Sequence, residues 1–266
     1  MKNDDFDYSY HYGNWHFDTP ESQARDIEGA RKEFDAHNIY PARKTAKILE
    51  IGSGMGRTML MLRDLGYENM YGIDIDPSQI KVAEKAGLNV CLSDATEFFK
   101  ENDEKYDAIY AFDVLEHIGK GQQVHLLEGM REHLSQDGFV VLRVPNALFP
   151  IASYFRYIDF THTLSYTSET ISFLLHNAGL HFFAVRPQYK ESAGLQNLKL
   201  PWVRLIRREL GMKDFIMTPN LMIVAFKDEN VLKRYLVSAP KIKNDYQDGI
   251  KATLRRVWLH IKTMKF

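Results

Sequence analysis

Residues 47–56, KILEIGSGMG, form an apolar run that ends in three glycines just before a helical pattern. A strand that turns sharply into a helix needs backbone angles with positive φ, and a ligand approaching the turn needs space that a Cβ would fill. Glycine meets both needs. The stretch therefore predicts a strand, a ligand-binding turn and a helix, with the ligand at the carboxyl end of the strand.

Short apolar runs alternate with amphipathic segments on both sides of this turn. Seven runs are predicted as strands, at residues 45–51, 70–74, 88–92, 106–112, 139–144, 180–185 and 221–226. Five helical patterns lie between them, at residues 56–65, 77–86, 95–100, 122–134 and 168–177. This alternation predicts an α/β fold with a mostly parallel sheet covered by helices on both faces. No such helix is predicted between the last two strands, so one of them is expected to run antiparallel.

The composition is that of an ordinary globular protein, with 45% hydrophobic and 26% charged residues among 266. Thirty-four basic residues balance 35 acidic ones, which argues against a partner bound by overall charge, such as nucleic acid. The single cysteine, Cys91, is expected to be reduced and buried, which favours a cytoplasmic location. The first residues lack the pattern of a secretory signal, and no run is long enough to predict a transmembrane helix.

The two ends of the chain differ in charge from each other, and this difference predicts a division of the chain into three parts. Residues 1–40, acidic and rich in aromatic side chains, are expected to form a helical and aromatic lid or to pack on the core. Residues 41–228 form the predicted ligand-binding domain, with an insertion at 187–218. Residues 229–266 form a basic amphipathic tail that suits a membrane surface, a partner protein, the domain itself or a second subunit.

Acidic residues follow the second and third predicted strands. Asp74 ends a strand 22 residues after Gly52, where a carboxylate can accept hydrogen bonds from both hydroxyls of a ribose. Asp76 precedes Pro77 and is better explained as a helix N-cap. Asp94 either accepts a hydrogen bond from an adenine amino group or caps the helix that follows it.

The glycine spacing and a preceding acid favour one class of cofactor. Dinucleotide sites prefer Gly-x-Gly-x-x-Gly, whereas this turn has Gly-x-Gly-x-Gly. Glu50 lies two residues before Gly52, where it would repel a pyrophosphate but could hold the amino end of a cationic ligand. These features favour S-adenosylmethionine over NAD.

Four segments in order resemble the motifs of class I S-adenosylmethionine-dependent methyltransferases. They are EIGSGMG at 50–56, YGID at 71–74, SDA at 93–95 and FDVLEH at 112–117. The resemblance covers residues 45–227 and implies a Rossmann-like sheet of seven strands with the last one antiparallel.

The resemblance also implies a site for each part of the cofactor. Asp74 would bind the ribose and Asp94 the adenine edge. The other implied cofactor-binding residues are Glu50, Gly52, Ser53, Gly54, Gly56, Ile75, Ala95 and Phe112. The sequence departs from the family at Ser93, where glycine is common, and this change puts little in doubt.

Methyl transfer from a sulfonium needs an aligned acceptor and often a base, and His117 is one candidate for that base. With Asp113 and Glu116 it also forms a set that could bind a divalent ion such as Mg²⁺ or Mn²⁺, similar to the cluster of ubiquinone-type O-methyltransferases. Alternatively, Glu116 and His117 only anchor their loop.

A second candidate cluster, Asp159-Phe160-Thr161-His162, follows the fifth predicted strand. This segment resembles the branch that includes methyltransferases of bacterial glycans and of quinones. His162 therefore competes with His117 for the role of base, with Asp159 beside it.

The sequence thus predicts an S-adenosylmethionine-dependent methyltransferase that acts on a hydroxyl of a sugar or polysaccharide, such as a bacterial surface glycan. A quinone or another small molecule, methylated on oxygen or nitrogen, is the alternative acceptor. Outside this class are a cofactor-binding protein without catalysis and an NAD-dependent dehydrogenase. The expected location is cytoplasmic, with docking to the inner face of a membrane or to a protein complex through the tail, and a homo-oligomer is compatible with the sequence.

Overall fold

The computed structural model describes residues 19–149, 151–189, 216 and 218–240. Within them, seven strands form one sheet in the order β3-β2-β1-β4-β5-β7-β6. The strands are β1 Ile48–Ile51, β2 Met70–Asp74, β3 Val90–Leu92, β4 Tyr106–Phe112, β5 Leu134–Pro145, β6 Phe182–Pro187 and β7 Asn220–Phe226. Strand β7 lies between β5 and β6 and pairs antiparallel with both. The predicted mixed sheet with an antiparallel last strand is confirmed.

Eight helices accompany the sheet in the described residues. They are α1 Pro20–His37, α2 Arg57–Asp64, α3 Pro77–Lys85, α4 Ala95–Glu101, α5 Lys120–Glu132, α6 Ala152–Tyr157, α7 Ser168–Asn177 and α8 Glu229–Ser238. A short 3₁₀ turn, Leu115–His117, follows β4. None of the described helices is long and apolar enough to span a membrane.

Alternate strand residues feed two separate hydrophobic cores, as expected for a sheet covered on both faces. Leu49 of β1 and Ile109 of β4 join a core built with α4, α5 and α7. Ile48 and Tyr110, their neighbours along the same strands, join a second core with α1, α2, α3 and α8. Strands β1 to β5 pair parallel to one another. Their carboxyl ends therefore meet at one edge of the sheet, between the two helix layers.

Three predictions from the sequence need correction. Cys91 is only half-buried at the margin of the first core, because it belongs to the short edge strand β3. Strand β5 begins at Leu134, five residues before the predicted start, because the polar stretch 135–138 interrupts the apolar run without ending the strand. Strand β6 extends to Pro187. The buried Arg186 is tolerated there because its guanidinium donates hydrogen bonds to the Tyr235 hydroxyl and to backbone carbonyls.

Other predictions fall on parts of the chain outside the described residues. They concern the aromatic cluster before residue 19, the amphipathic segment 199–213 within the insertion, and the tail beyond residue 240.

Candidate active site

The turn after β1 depends on glycine for its backbone and for its space. Gly52 and Gly54 have φ angles of +66° and +54°. A Cβ on Gly52 would overlap the Val114 Cγ2 methyl group, and one on Gly54 would lie 2.7 Å from Gln79 Oε1. Strain at positive φ and lack of room therefore both exclude larger residues.

Asp74, the last residue of β2, is hydrogen-bonded to this turn. Its Oδ2 accepts a hydrogen bond from the Gly54 amide at 2.8 Å, and its Oδ1 accepts one from the Asp76 amide at 2.8 Å. Burial raises the pKa of Asp74. The carboxylate thus has a fixed orientation beside the glycine turn, as a ribose-binding acid requires.

Glu50 is a buried acid near the carboxyl end of β1. Its side chain is 5% exposed, and its Oε2 atom has no hydrogen-bond partner. Burial raises the pKa of Glu50 to about 8. A buried carboxyl with an unpartnered oxygen is costly unless something completes it, and the amino group of a cationic ligand would do so.

These residues line one cavity of about 830 Å³ at the carboxyl edge of the sheet. Nine of the ten predicted cofactor-binding residues border it: Glu50, Gly52, Ser53, Gly54, Asp74, Ile75, Asp94, Ala95 and Phe112. The orphaned Glu50 oxygen, the turn without Cβ atoms and the fixed Asp74 carboxylate all suit S-adenosylmethionine. The residues present therefore fit this cofactor.

Gly56, the tenth residue, does not border the cavity. It is the N-cap of α2 with φ +75°, and a Cβ there would overlap Leu88 Cδ1. Its glycine is therefore explained by the helix start and by packing against Leu88, rather than by ligand contact.

The acids after β2 and β3 also begin helices. Asp76 accepts from the Ser78 amide at 2.8 Å and caps α3, as predicted. Asp94 Oδ1 accepts from the amides of Thr96 at 2.8 Å and Glu97 at 3.2 Å, and so caps α4 while it borders the cavity. The two alternatives for Asp94 are thus compatible.

An ion pair borders the cavity just after β4. Asp113, with φ +56°, accepts from Arg143 Nε at 3.0 and 2.9 Å and from Nη2 as well. Both residues border the cavity. The sequence reasoning missed Arg143, whose signal is a single charge within the apolar stretch 139–145 of β5, opposite Phe112 in the register.

The two predicted catalytic segments meet in space. The His117 and His162 rings are 4.7 Å apart between centroids and meet edge to face. His117 Nδ1 lies 2.7 Å from Thr161 Oγ1, and that hydroxyl donates to Asp159 Oδ1 at 2.6 Å. His117 borders the cavity, whereas His162 and Asp159 are not among the residues that line it.

The set of candidate metal ligands differs from the predicted one. Among the described residues, ligand atoms of Glu116, His117 and His162 lie within 4.8 Å of one another. Asp113 is outside this group because Arg143 occupies both of its carboxylate oxygens. Glu116 is 1% exposed, and its burial beside Asp113 raises its pKa well above the ordinary value.

Helix α1 forms one wall of the cavity. Arg25, Asp26, Gly29 and Glu33 line it from this helix, and Tyr189 lines it after β6. The Glu33 carboxylate accepts from the Tyr189 amide at 3.1 Å, which joins these two parts of the wall. The sequence placed a lid in residues 1–40 but did not identify these contacts.

A comparison with protein families finds a match for this chain. Residues 25–184 match the family model described as a methyltransferase domain. No curated protein matches the sequence.

Solved structures share the fold at low sequence identity. A SAM-dependent methyltransferase from Archaeoglobus fulgidus is 22% identical, with a TM-score of 0.61, over 82% of this chain and 98% of its own. The magnesium protoporphyrin IX methyltransferase of Synechocystis PCC 6803, with bound SAM, is 12% identical, with a TM-score of 0.50, over 83% and 91%. The plantazolicin methyltransferase BamL, in complex with a triazolic desmethylPZN analogue and SAH, is 17% identical, with a TM-score of 0.51, over 83% of this chain and 90% of its own.

The matched segment spans more than half of the chain and includes the glycine turn, Asp74, Asp94 and both segments predicted to be catalytic. With the seven-stranded fold and a cavity that fits the cofactor, it supports S-adenosylmethionine as the cofactor of this protein. The chain belongs to the methyltransferase-domain family.

Proposed function

We propose that the protein transfers a methyl group from S-adenosylmethionine to a hydroxyl oxygen. The observation that carries this proposal is that His117, a group able to take up a proton, borders the same cavity as Glu50 and Asp74. When bound, S-adenosylmethionine supplies an electrophilic methyl group whose bond to sulfur breaks as the bond to the acceptor oxygen forms. The hydroxyl proton passes to the histidine cluster.

Different residues of the cavity bind different parts of the cofactor. Glu50 holds the amino group, and Asp74 holds the ribose hydroxyls. Asp94 accepts from the adenine amino group through the oxygen that does not cap α4. Ile75 borders the cavity although 47% of it is exposed, so it offers an apolar contact to the adenine ring.

We propose a sugar or polysaccharide as the acceptor, with a quinone or another small molecule as the alternative. The segment 159–167 resembles the branch that methylates bacterial glycans and quinones. Tyr154 and Tyr157 on α6 are 55% and 77% exposed, just before this segment in the chain. Exposed aromatic rings can stack on sugar faces, which supports the glycan.

The predicted division of the chain is also a proposal. Residues 1–40 would form the lid segment, 41–228 the catalytic domain with its insertion at 187–218, and 229–266 the tail. Helix α1 lines the cavity, which supports a covering role for the first part. The basic tail would dock on a membrane surface or a partner protein, consistent with a cytoplasmic enzyme near an inner membrane.

A transfer assay with labelled S-adenosylmethionine tests the reaction and the acceptor together. The panel contains hydroxylated glycans, a catechol-type quinol and primary amines. Transfer to glycan hydroxyls is expected, and transfer only to the quinol would favour the alternative. Transfer to amines alone would contradict the hydroxyl assignment.

Two variants separate an enzyme from a binding protein. His117→Ala and His162→Ala are each assayed for turnover and for cofactor affinity. Loss of turnover with unchanged affinity supports catalysis by this cluster, because a general base contributes about 10²–10⁴-fold to rate. A wild-type protein that binds the cofactor but methylates nothing in the panel would favour a non-catalytic role.

A further inference from the structure

Thr161 connects the two predicted catalytic segments. Its hydroxyl oxygen lies between the Asp159 carboxylate, at 2.6 Å from Oδ1, and the His117 ring, at 2.7 Å from Nδ1. The Thr161 amide donates to the same Asp159 oxygen at 2.8 Å. This tight turn holds the hydroxyl in place between the two ionisable groups.

The direction of these hydrogen bonds determines the tautomer of His117. A threonine hydroxyl has one hydrogen to donate and lone pairs to accept with. Because its hydrogen goes to the Asp159 carboxylate, the oxygen must accept from His117, and Nδ1 therefore carries the hydrogen. The lone pair of the neutral ring is then on Nε2, the nitrogen able to take up a proton.

His162 is held differently. Its Nδ1 lies 2.9 Å from the Phe155 carbonyl oxygen, which can only accept, and its Nε2 is 3.9 Å from Asp159 Oδ2. Both rings are thus oriented through Nδ1, but it is His117 that borders the cavity. This arrangement makes His162 a neighbour that packs against the base.

We propose that Thr161 is a positioning residue, which holds His117 as the Nδ1–H tautomer and links it to the negative charge of Asp159, so that His117 is the base. A buried carboxylate behind an imidazole orients the ring and stabilises its protonated form. Here the hydroxyl of Thr161 mediates that interaction. This inference rests on the proposed function for the identity of the proton donor, whereas the tautomer is a property of the free protein.

The primary test is the tautomer of His117 in the protein without ligand. Long-range ¹H–¹⁵N correlation spectra of ¹⁵N-histidine-labelled protein distinguish the two ring nitrogens, and the His117 signals are assigned by their loss in His117→Gln. The wild type is expected to show Nδ1 protonated and Nε2 unprotonated at a pH where the ring is neutral. An Nε2–H tautomer would overturn the inference, whether or not the enzyme is active.

Substitutions of Thr161 test the mechanism. Thr161→Val keeps the shape but removes the hydroxyl, and Thr161→Ser restores a hydroxyl. In the valine variant, the tautomer preference is expected to weaken and kcat to fall roughly tenfold to a hundredfold, below the about 10²–10⁴-fold that a lost base would cost. The serine variant is expected to recover most of both, and the cofactor Kd to stay unchanged in both variants.

Thr163→Val is the matched control in the same loop. The Thr163 hydroxyl oxygen lies 2.8 Å from the Glu116 carbonyl oxygen and 3.0 Å from that of Ile118, and these two acceptors share its one hydrogen. Its loss removes one half-buried hydroxyl and does not remove either partner of the hydrogen bond between Thr161 and His117. Equal effects of the two valine variants on tautomer and kcat would contradict the inference, because they would indicate general damage to the loop.

The pH profile adds a readout that a purely structural role would not change. Among the described residues, the charged or titratable groups near His117 include Asp113, Glu116, Asp159, His162 and Arg143. Without the link to Asp159 the imidazolium is less stable, so the rising limb of kcat/KM is expected to move to lower pH in Thr161→Val. A limb that stays in place would contradict the link, whereas a wild type with the expected tautomer but without turnover would count against the proposed function alone.

Discussion

Gly52 is where the backbone and the ligand make the strictest demand on a single residue. Its φ of +66° and the adjacent Val114 methyl leave no room for a side chain. Gly66 has an even larger φ of +85°, but nothing lies within 4 Å of a Cβ there. Substitution at Gly66 would therefore cause backbone strain alone, whereas substitution at Gly52 would cause both strain and steric overlap.

Substitution of each glycine by alanine should show this difference. Gly66→Ala is expected to destabilise the protein by about 1–3 kcal/mol through strain alone. Gly52→Ala is expected to add about 1–3 kcal/mol of overpacking and to lose cofactor binding. Urea unfolding and titration with S-adenosylhomocysteine measure both effects. Equal affinity for the ligand in the two variants would contradict the role of the turn.

Glu50 should make the stability of the ligand-free protein depend on pH. Burial raises the pKa of Glu50 to about 8 in the folded protein, against an ordinary value of 4.5. Between these values the folded state holds the proton more firmly, so the free energy of unfolding falls as pH rises, by at most about 1.4 kcal/mol per pH unit. Glu50→Gln removes this contribution.

Urea unfolding of both proteins at pH 5.5, 6.5 and 7.5 measures the effect. The difference in stability, glutamine variant minus wild type, is expected to grow with pH. The pKa of Asp74 is also raised, but Asp74 is present in both proteins, so this difference reports mainly on Glu50. A difference that stays constant over this range would contradict the buried, proton-binding state of Glu50.

At the scale of elements, short polar side chains set where the helices begin. Asp94 caps α4 and Asp228 caps α8, and each accepts from two backbone amides. Asp94 borders the cavity, whereas Asp228 is not among its lining residues. The two caps thus form a natural pair of test and control.

Alanine at either cap should cost about 1 kcal/mol of stability, since each variant loses the side chain that satisfies the first amides of its helix. Only Asp94→Ala is expected to weaken the binding of S-adenosylhomocysteine, by roughly tenfold, as one hydrogen bond is lost. Thermal melts and calorimetric titration measure the two effects. Unchanged affinity in Asp94→Ala would leave Asp94 as a helix cap without a role at the adenine.

Most elements of the sheet could be predicted because their apolar runs are uninterrupted. The boundaries of β2 and β4 and of helix α7 agree with the predicted ones. Strands β1 and β3 begin three and two residues after their predicted starts. At the end of β6 the difference occurs where a polar residue within the strand has a distant partner, as Arg186 has in Tyr235 of α8. A local sequence pattern does not reveal a partner that is distant in the chain.

The same limit applies to the candidate site. Residues that follow a strand end, such as Asp74 and Asp94, could be placed because the topology brings strand ends together. The contact between His117 and Thr161 joins segments 44 residues apart and depends on the loop after β5. Arg143 was missed because its partner Asp113 follows the neighbouring strand β4, 30 residues earlier in the chain.

At the scale of the whole molecule, the order of the strands creates the cavity. Strands β1 and β4 are neighbours, although two strands and three helices separate them in the chain. Ligands of open α/β sheets bind at such a switch point, outside the carboxyl ends of the strands. The glycine turn after β1 and the 3₁₀ turn with His117 after β4 therefore border the same cavity. This arrangement would bring the cofactor and the proposed base together.

The most direct test of this methyltransferase is calorimetric titration of the full chain with S-adenosylmethionine, S-adenosylhomocysteine and NADH, together with Asp74→Ala checked for an intact fold by circular dichroism. Both adenosyl ligands are expected to bind the wild type and to lose affinity in the variant, while NADH does not bind. Binding of NADH alone, or of none of the three, would contradict the assignment.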